Sequence, residues 1–306
     1  MSSMMTNVSA MTALKSLQAT NKALESTQSR ISTGYRVAEA SDNAAYWSIA
    51  TTMRSDNKAL STVQDALGLG AAKLDTAYTA TTAAIEVVDE IKAKLVAAKE
   101  PGVDKSKIQS EITQLQEQLT GIASSASFSG ENWLSVDSSD AAYTATKSLV
   151  SSFNRASDGT VSVSTIDIDI SSTELFDAND QSGILDTEFT TTGAGAVTVS
   201  VSTLDISATG IDDTDLDEMI SAVDSALADM TTSASDLGAA KSRVDMQKDF
   251  VSGLMDAIDR GVGTLVDADM NEESTRLQAL QVQQQLGIQA LSIANSNSQQ
   301  ILSLFR

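Results

Sequence analysis

The chain has 306 residues, no Cys, no His, one Pro, 42% hydrophobic and 4% aromatic residues, and a formal net charge of −21. It is long enough for two or three modest cores, but without His or Cys it can build neither a Ser-His pair, nor an H-E-x-x-H zinc site, nor a disulfide framework. Its acidity opposes nucleic acid and anionic membranes as partners, since both are polyanions.

The first predicted element is a helix over residues 1–32. Asn7, Ala10, Leu14, Leu17, Asn21, Leu24, Gln28 and Ile31 alternate spacings of three and four, the seam of a helix laid along a partner. Amides set into such a seam give up stability for register. An irregular stretch, Thr33 to Asn43 with Gly34, comes next. In the long helical region that follows, Met53, Asn57, Leu60, Gln64, Leu67, Ala71, Leu74, Tyr78, Thr81, Ile85 and Val88 hold a heptad until Pro101-Gly102 ends it. A shorter helix resumes with Ile108, Ile112, Leu115, Leu119 and Ile122, and stops before the Ser-rich loop Phe128 to Trp133.

The middle changes period. Val161, Val163, Ile166, Ile168 and Ile170, and then Val197, Val199, Val201, Leu204 and Ile206, alternate with Ser, Thr and Asp as half-buried strands do. Residues 137–230 hold 18 Asp and Glu against Lys147 and Arg155, so most of the chain's negative charge sits here, read as a solvated acidic surface. Helix returns after Asp212, where Asp215 and Glu218 stand at capping-box spacing. Its seam runs from Leu216 through Ile220, Val223, Leu227, Met230, Ala234 and Leu237 to Leu265.

The last helix is uncharged between Arg276 and Arg306. Leu277, Leu280, Gln284, Gly287, Leu291, Ala294, Ser298, Ile301 and Phe305 form its seam, and Val282, Leu286, Ala290, Ile293 and Leu304 gather on a second side. Two apolar sides imply more than one neighbour. Chain ends fray unless they are tied down, yet this one keeps its repeat to Ile301, Leu302, Leu304 and Phe305, which predicts burial on association.

The order of elements is a palindrome around a β insert. It predicts a mainly α fold with a β-containing insert, an elongated antiparallel coiled-coil bundle of paired N- and C-terminal regions with a small β domain at the tip. The expected divisions are 1–43 with 266–306 as terminal helices, 44–137 with 212–265 as a long-helix bundle, and 138–211 as the insert. Lying outside both seams, the insert is expected to be dispensable for assembly.

Chemistry-bearing constellations are sparse. Asp167 and Asp169 share one strand face, which keeps a carboxylate-dependent hydrolase formally open, and Asp213, Asp215 and Asp217 alternate like the start of an EF-hand whose Gly and closing Glu are missing. Strand polarity and helix capping account for both, so no catalytic residue, cofactor or metal is expected. A coiled-coil signalling protein would need a membrane span or sensory domain; no run approaches 18 apolar residues, and Met1 to Lys15 lacks the basic start and apolar run of a cleaved signal peptide.

Two sets of residues carry a family resemblance. Met5-Thr6-Asn7, Ala13-Leu14, Arg30-Ile31-Ser32-Thr33-Gly34-Tyr35-Arg36-Val37, Ala40-Ser41-Asp42-Asn43-Ala44-Ala45 and Ser48-Ile49-Ala50 resemble the amino-terminal signature of bacterial flagellins. Asp267-Ala268-Asp269, Gln283-Gln284-Gln285, Gln289-Ala290-Leu291, Ala294-Asn295 and Ile301-Leu302-Ser303-Leu304-Phe305-Arg306 resemble the flagellin carboxyl terminus. The resemblance covers roughly 1–135 and 212–306, and Ala38-Glu39-Ala40-Ser41-Asp42-Asn43 with Ala44-Ala45-Tyr46-Trp47-Ser48 looks like the flagellins of soil and plant-associated alphaproteobacteria.

The resemblance implies a structural subunit of the flagellar filament that swimming bacteria rotate. Such a subunit is exported through the flagellar type III apparatus with an export chaperone, polymerised beneath a cap protein, and extracellular without a cleaved signal peptide. Its partners are then copies of itself or related flagellins. Leu14, Leu17, Asn21, Leu24, Ile31, Leu286, Leu291, Ile293, Ile301, Leu302, Leu304 and Phe305 become the self-assembly residues, with the terminal helices innermost and the acidic insert outermost. A hook-filament junction protein, with similar ends, is the nearest alternative. The resemblance also maps two host-recognition segments. The one sensed by plants, residues 29–50, keeps Arg36 and Asp42 but is altered at Asn43, Tyr46 and Trp47. The one read by the animal flagellin receptor has Asp89, Glu90, Lys92 and Lys94 where arginines are common.

Overall fold

The computed structural model describes residues 7–304, with side chains described as far as Asn297. Five helices and eight short strands appear among them, in the order α1 (Val8–Thr33), α2 (Ala44–Ala98), α3 (Lys105–Ser125), β1 (Ser127–Phe128), β2 (Glu131–Asn132), β3 (Ser135–Val136), β4 (Thr146–Arg155), β5 (Val161–Asp169), β6 (Phe176–Asp177), β7 (Phe189–Thr190), β8 (Thr198–Val199), α4 (Asp213–Val266) and α5 (Met270–Leu304). The mainly helical class with a small β insert is therefore borne out. None of the helices is long and apolar enough to cross a membrane, among the described residues.

The chain divides into a terminal unit, residues 1–58 with 255–306, and a central unit, residues 59–254. In the terminal unit α1 starts on Asn7, whose side chain accepts from the Ala10 amide at 3.0 Å, and ends on Gly34 at φ 76°, a left-handed stop suited to glycine. α5 lies antiparallel to it, as Asn7 donating to the Ala294 carbonyl at one end and the Arg30–Glu273 pair at the other require. Between them the chain crosses from α1 to α2 through backbone bonds: Arg36 and Val37 both donate to the Val266 carbonyl, and Ala268 donates to Gly34. Val37, Ala50, Val262 and Val266 form the small core beneath this crossing, packed by Met53, Ile258 and Leu265.

In the central unit α2 and α4 run antiparallel, tied by Lys99–Asp217, Lys92–Asp224 and Lys241–Asp75. The heptad is present, but half of it lies one residue from the expected place. Leu60, Leu67, Leu74, Thr81 and Val88 are buried as expected; alternating with them are Val63, Gly70, Ala77, Ala84 and Ile91, while Gln64, Ala71, Tyr78 and Ile85 flank the seam. α4 repeats the shift, burying Met219, Ala226 and Ser233 rather than Ile220, Leu227 and Ala234. Mostly small residues on the seam let neighbouring backbones come close, and the bulkier residue beside each covers the joint.

Parts of the insert pack back along the sides of these helices. Leu149 of β4 occupies the notch over Gly70, where an added Cβ would come within 2.7 Å of Leu149 Cδ1, and Gln247 of α4 donates to the Ser151 carbonyl at 2.9 Å. Further along, Gln109 and Gln116 of α3 donate to the Leu204 carbonyl, and Ile206 N–H donates back to Gln109. The strands pair as four separate two-stranded ribbons, β1-β2, β3-β6, β4-β5 and β7-β8, of which only β3-β6 is parallel. β5 matches the expected strand, whereas the alternation from Val197 to Ile206 is strand only at Thr198–Val199. There the Ser200 amide donates to Thr203 Oγ1 and the Thr203 amide returns to the Ser200 carbonyl, a side-chain turn that competes with a ladder. Val201, Leu204 and Ile206 are still buried.

Candidate functional site

α5 presents Leu277, Leu280, Gln284, Gly287, Leu291 and Ala294 as its less exposed face, with Glu273 fully covered. On α1 the corresponding face is Ala13, Leu17, Thr20, Leu24, Thr27 and Ile31. Leu17, Leu24 and Ile31 were expected there; Leu14, Asn21 and Gln28 stand to the side instead, displaced by smaller or β-branched residues. The fit is close where Leu17 sits over Gly287, since a Cβ there would lie 3.1 Å from Leu17 Cδ1. Asn21 still acts in register, accepting from Gln284 Nε2 at 2.8 Å.

The pair leaves its other sides bare. Val282, Leu286 and Ile293 are 55%, 58% and 65% exposed, and recur at helical spacing over about 16 Å of α5. Ile288 on α5 and Val8, Met11 and Leu14 on α1 are exposed as well. Ile301, Leu302 and Leu304 fall where side chains are not described, and Phe305 lies outside the described residues. Scattered surface leucines need no explanation, but a row of this length on an uncharged helix marks a surface that another body covers.

The residues of the two segments expected to meet host receptors do structural work in the fold. Asp42 accepts from the Ala38 and Glu39 amides at 3.0 and 3.2 Å, and Asn43 caps α2 by accepting from the Ala45 and Tyr46 amides. Arg36 donates to the Leu265 carbonyl at 3.0 Å, near the last turn of α4. Tyr46 and Trp47 are exposed. On α2, Lys92 pairs with Asp224 of α4 and Lys94 with Glu111 of α3 at 2.7 Å, so these lysines join helices, while Asp89 and Glu90 face outward.

The acidic residues of the middle segment are also tied into local structure. Asp137, Asp158, Asp169, Asp180, Asp205 and Asp212 each accept the amide two residues on, where Ser or Thr follows at that place. The Ser or Thr hydroxyl at Asp158 and Asp169 holds those carboxyls below the usual range. The repeated Asp-x-Ser/Thr is the sequence signal for these turns, so these carboxylates belong to loop structure and not only to a solvated face. Capping at α4 is likewise one turn earlier than expected. Asp212 and Asp215 exchange the bonds, and Glu218 instead accepts from the Thr192 amide at 2.6 Å because the insert folds over the helix start. Asp167 takes a bond from Ser148. No group of three or more acidic residues is placed to hold a metal ion, among the described residues.

An antiparallel helix pair with apolar rows open on its far sides, in a chain of long helices whose acids serve turns and caps, defines a structural subunit that associates through helices. The family models agree on which one. The model described as the bacterial flagellin N-terminal helical region matches residues 4–139, and that described as the bacterial flagellin C-terminal helical region matches residues 220–305. Flagellin C of Rhizobium meliloti (strain 1021) is 56% identical over 323 aligned residues, and the flagellin of Brucella melitensis biotype 1 is 51% identical over 307. Flagellin A of Rhizobium meliloti (strain 1021) is 49% identical over 396, and each of the three alignments covers 100% of both chains. The chain belongs to the bacterial flagellin family, on the alphaproteobacterial side of it, and is a structural subunit of the flagellar filament rather than an enzyme.

Proposed function

We propose that the bare rows of α1 and α5 are the surfaces through which copies of this flagellin associate, with related flagellins able to enter the same polymer. The self-assembly residues are then Leu14, Leu17, Asn21, Leu24, Ile31, Leu286, Leu291, Ile293, Ile301, Leu302, Leu304 and Phe305. Leu17, Leu24, Ile31 and Leu291 hold the helix pair together, and Leu14, Leu286 and Ile293 meet neighbouring copies. In this reading residues 1–43 with 266–306 line the filament core, 44–137 with 212–265 form the shell around it, and 138–211 face outward. The subunit leaves the cell through the flagellar export apparatus, attended by an export chaperone and placed under a cap protein, with no cleaved signal peptide. The departures at Asn43, Tyr46, Trp47, Lys92 and Lys94 weaken receptor recognition of the folded subunit, Asn43 being engaged in a helix cap and the two lysines in ion pairs.

The observation that carries the reading is the exposure of Leu286 and Ile293 on an uncharged helix. Burying each such side chain contributes roughly 1.5–3 kcal/mol, which an isolated subunit leaves unrealised. Leu286→Glu combined with Ile293→Glu should therefore leave the melting of the subunit unchanged and abolish filaments in electron micrographs. Normal filaments from that variant would refute the placement.

A further inference from the structure

Asp158-Gly159 is the one place in the sequence where an Asp or Asn is followed by Gly. The pair turns the corner of the β4–β5 hairpin. Gly159 stands at φ 87° and its amide donates to the Ala156 carbonyl at 2.9 Å, while the Ala156 amide donates to the Thr160 carbonyl at 2.9 Å, so the chain reverses over Ala156–Gly159. A left-handed residue at the corner suits glycine. Residues 154–165 are all exposed, and a ribbon end of this kind opens locally more readily than the ladder behind it.

An aspartate followed by glycine carries a latent reaction of its own. The next amide nitrogen attacks the side-chain carbonyl carbon, and glycine, lacking Cβ, leaves that approach open. Here the new bond joins Gly159 N to Asp158 Cγ, and the carboxyl OH departs with the amide proton as water, leaving a cyclic succinimide. Water then adds back. Opening at Cγ restores aspartate, whereas opening at the main-chain carbonyl carbon leaves Gly159 linked through Cγ, an isoaspartate of unchanged mass.

In the closed turn both reactants are occupied. Asp158 Oδ1 accepts from the Thr160 hydroxyl at 2.7 Å and from the Thr160 amide at 2.9 Å. The hydroxyl first, and then the amide, hold the carboxyl below its usual range, in the ionised form that is the poorer electrophile. The Gly159 N–H is committed to Ala156.

We propose that Asp158-Gly159 is a spontaneous modification site of this chain, where isoaspartate forms when the hairpin end opens and which Thr160 restrains while it is closed. The product adds one carbon to the backbone at the corner and moves the carboxylate away from Thr160, so an isomerised turn does not reclose with the same bonds. This stands apart from how copies of the chain associate.

The full-length chain is kept at neutral pH for weeks, folded and in guanidinium chloride, and its peptides are mapped by chromatography with electron-transfer fragmentation, which distinguishes aspartate from isoaspartate. Asp137 is the internal reference, because it makes the same bonds to Ser139 but is followed by Ser138, whose Cβ crowds the attack. Isoaspartate should accumulate faster at Asp158 than at Asp137, and faster in denaturant than in the folded chain. Thr160→Ala should raise the folded-state rate about two- to tenfold, as loss of one net hydrogen bond does, and leave the rate in denaturant unchanged. Gly159→Asn, a residue that tolerates the left-handed corner, should bring the product down to the level at Asp137 with the fold intact. Isoaspartate at Asp158 no more abundant than at Asp137 in the unsubstituted chain overturns the site. Equal rates folded and unfolded, or a folded Thr160→Ala chain that isomerises no faster, overturn the restraint.

Discussion

Replacing Gly68 in α2 by alanine should stabilise the central unit by about 0.5–1 kcal/mol, because nothing lies within 4 Å of the added Cβ and helix interiors favour alanine. Gly183→Ala should do the opposite, costing about 1–3 kcal/mol, because its Cβ would stand 2.5 Å from the Leu175 carbonyl oxygen and 2.7 Å from Phe176 Cα, backbone that cannot step aside. Urea midpoints of the two variants measure both; equal shifts would mean the loop at Gly183 is not packed as described. Glu131 of β2 makes a second residue-scale case. Burial pushes its carboxyl up, but hydrogen bonds and charge from Lys73 and Lys147 outweigh this and bring it down from 4.5 to about 2. A carboxyl whose folded pKa is depressed stabilises above its unfolded value and loses that contribution as pH falls through the folded one. The clasp joining α2, β2 and β4 should therefore weaken between about pH 4.5 and 2, and Glu131→Gln should flatten the fall in urea midpoint over that window. An unchanged slope would show the clasp contributes nothing. Neither lysine's role was legible beforehand, since 58 residues separate Lys73 from Glu131 and no local pattern links them.

At the scale of elements, the helices were readable because their apolar periodicity is long and their stops are explicit, Gly34 and Pro101-Gly102. The structure buries Ala77 and Ala84 and leaves Tyr78 and Ile85 at the flank, because closeness of packing rather than side-chain bulk selects the seam position. β4 went unseen for a related reason, its alternation being broken by the bulge between Val150 and Ser152. The same packing changes what is expected of the insert. Replacing residues 140–210 by a short linker would uncover the Gly70 notch and strip Gln109 and Gln116 of their partners. The truncated chain should melt below the intact one while still polymerising, since the α1–α5 pair involves none of those residues. A melting transition identical to that of the full chain would show that the insert rests on the helices without supporting them.

For the whole molecule, the sequence pattern reached the candidate site further than it reached the fold's details. Leu286 and Ile293 were assigned to a second apolar side of the last helix because a helix with one partner needs only one apolar stripe, and both are exposed beside the seam that α1 covers. Leu14 was misplaced onto the inner seam and stands exposed, which adds to the bare surface on α1. The central claim is that these rows are covered by neighbouring copies in the filament. Amide hydrogen exchange compared between dispersed subunits and filaments tests it most directly, over residues 8–32 and 277–297. Protection should rise strongly in both segments on polymerisation, because their opening must then disrupt contacts with several copies at once. Equal protection in subunit and filament, with filaments intact, would contradict the account.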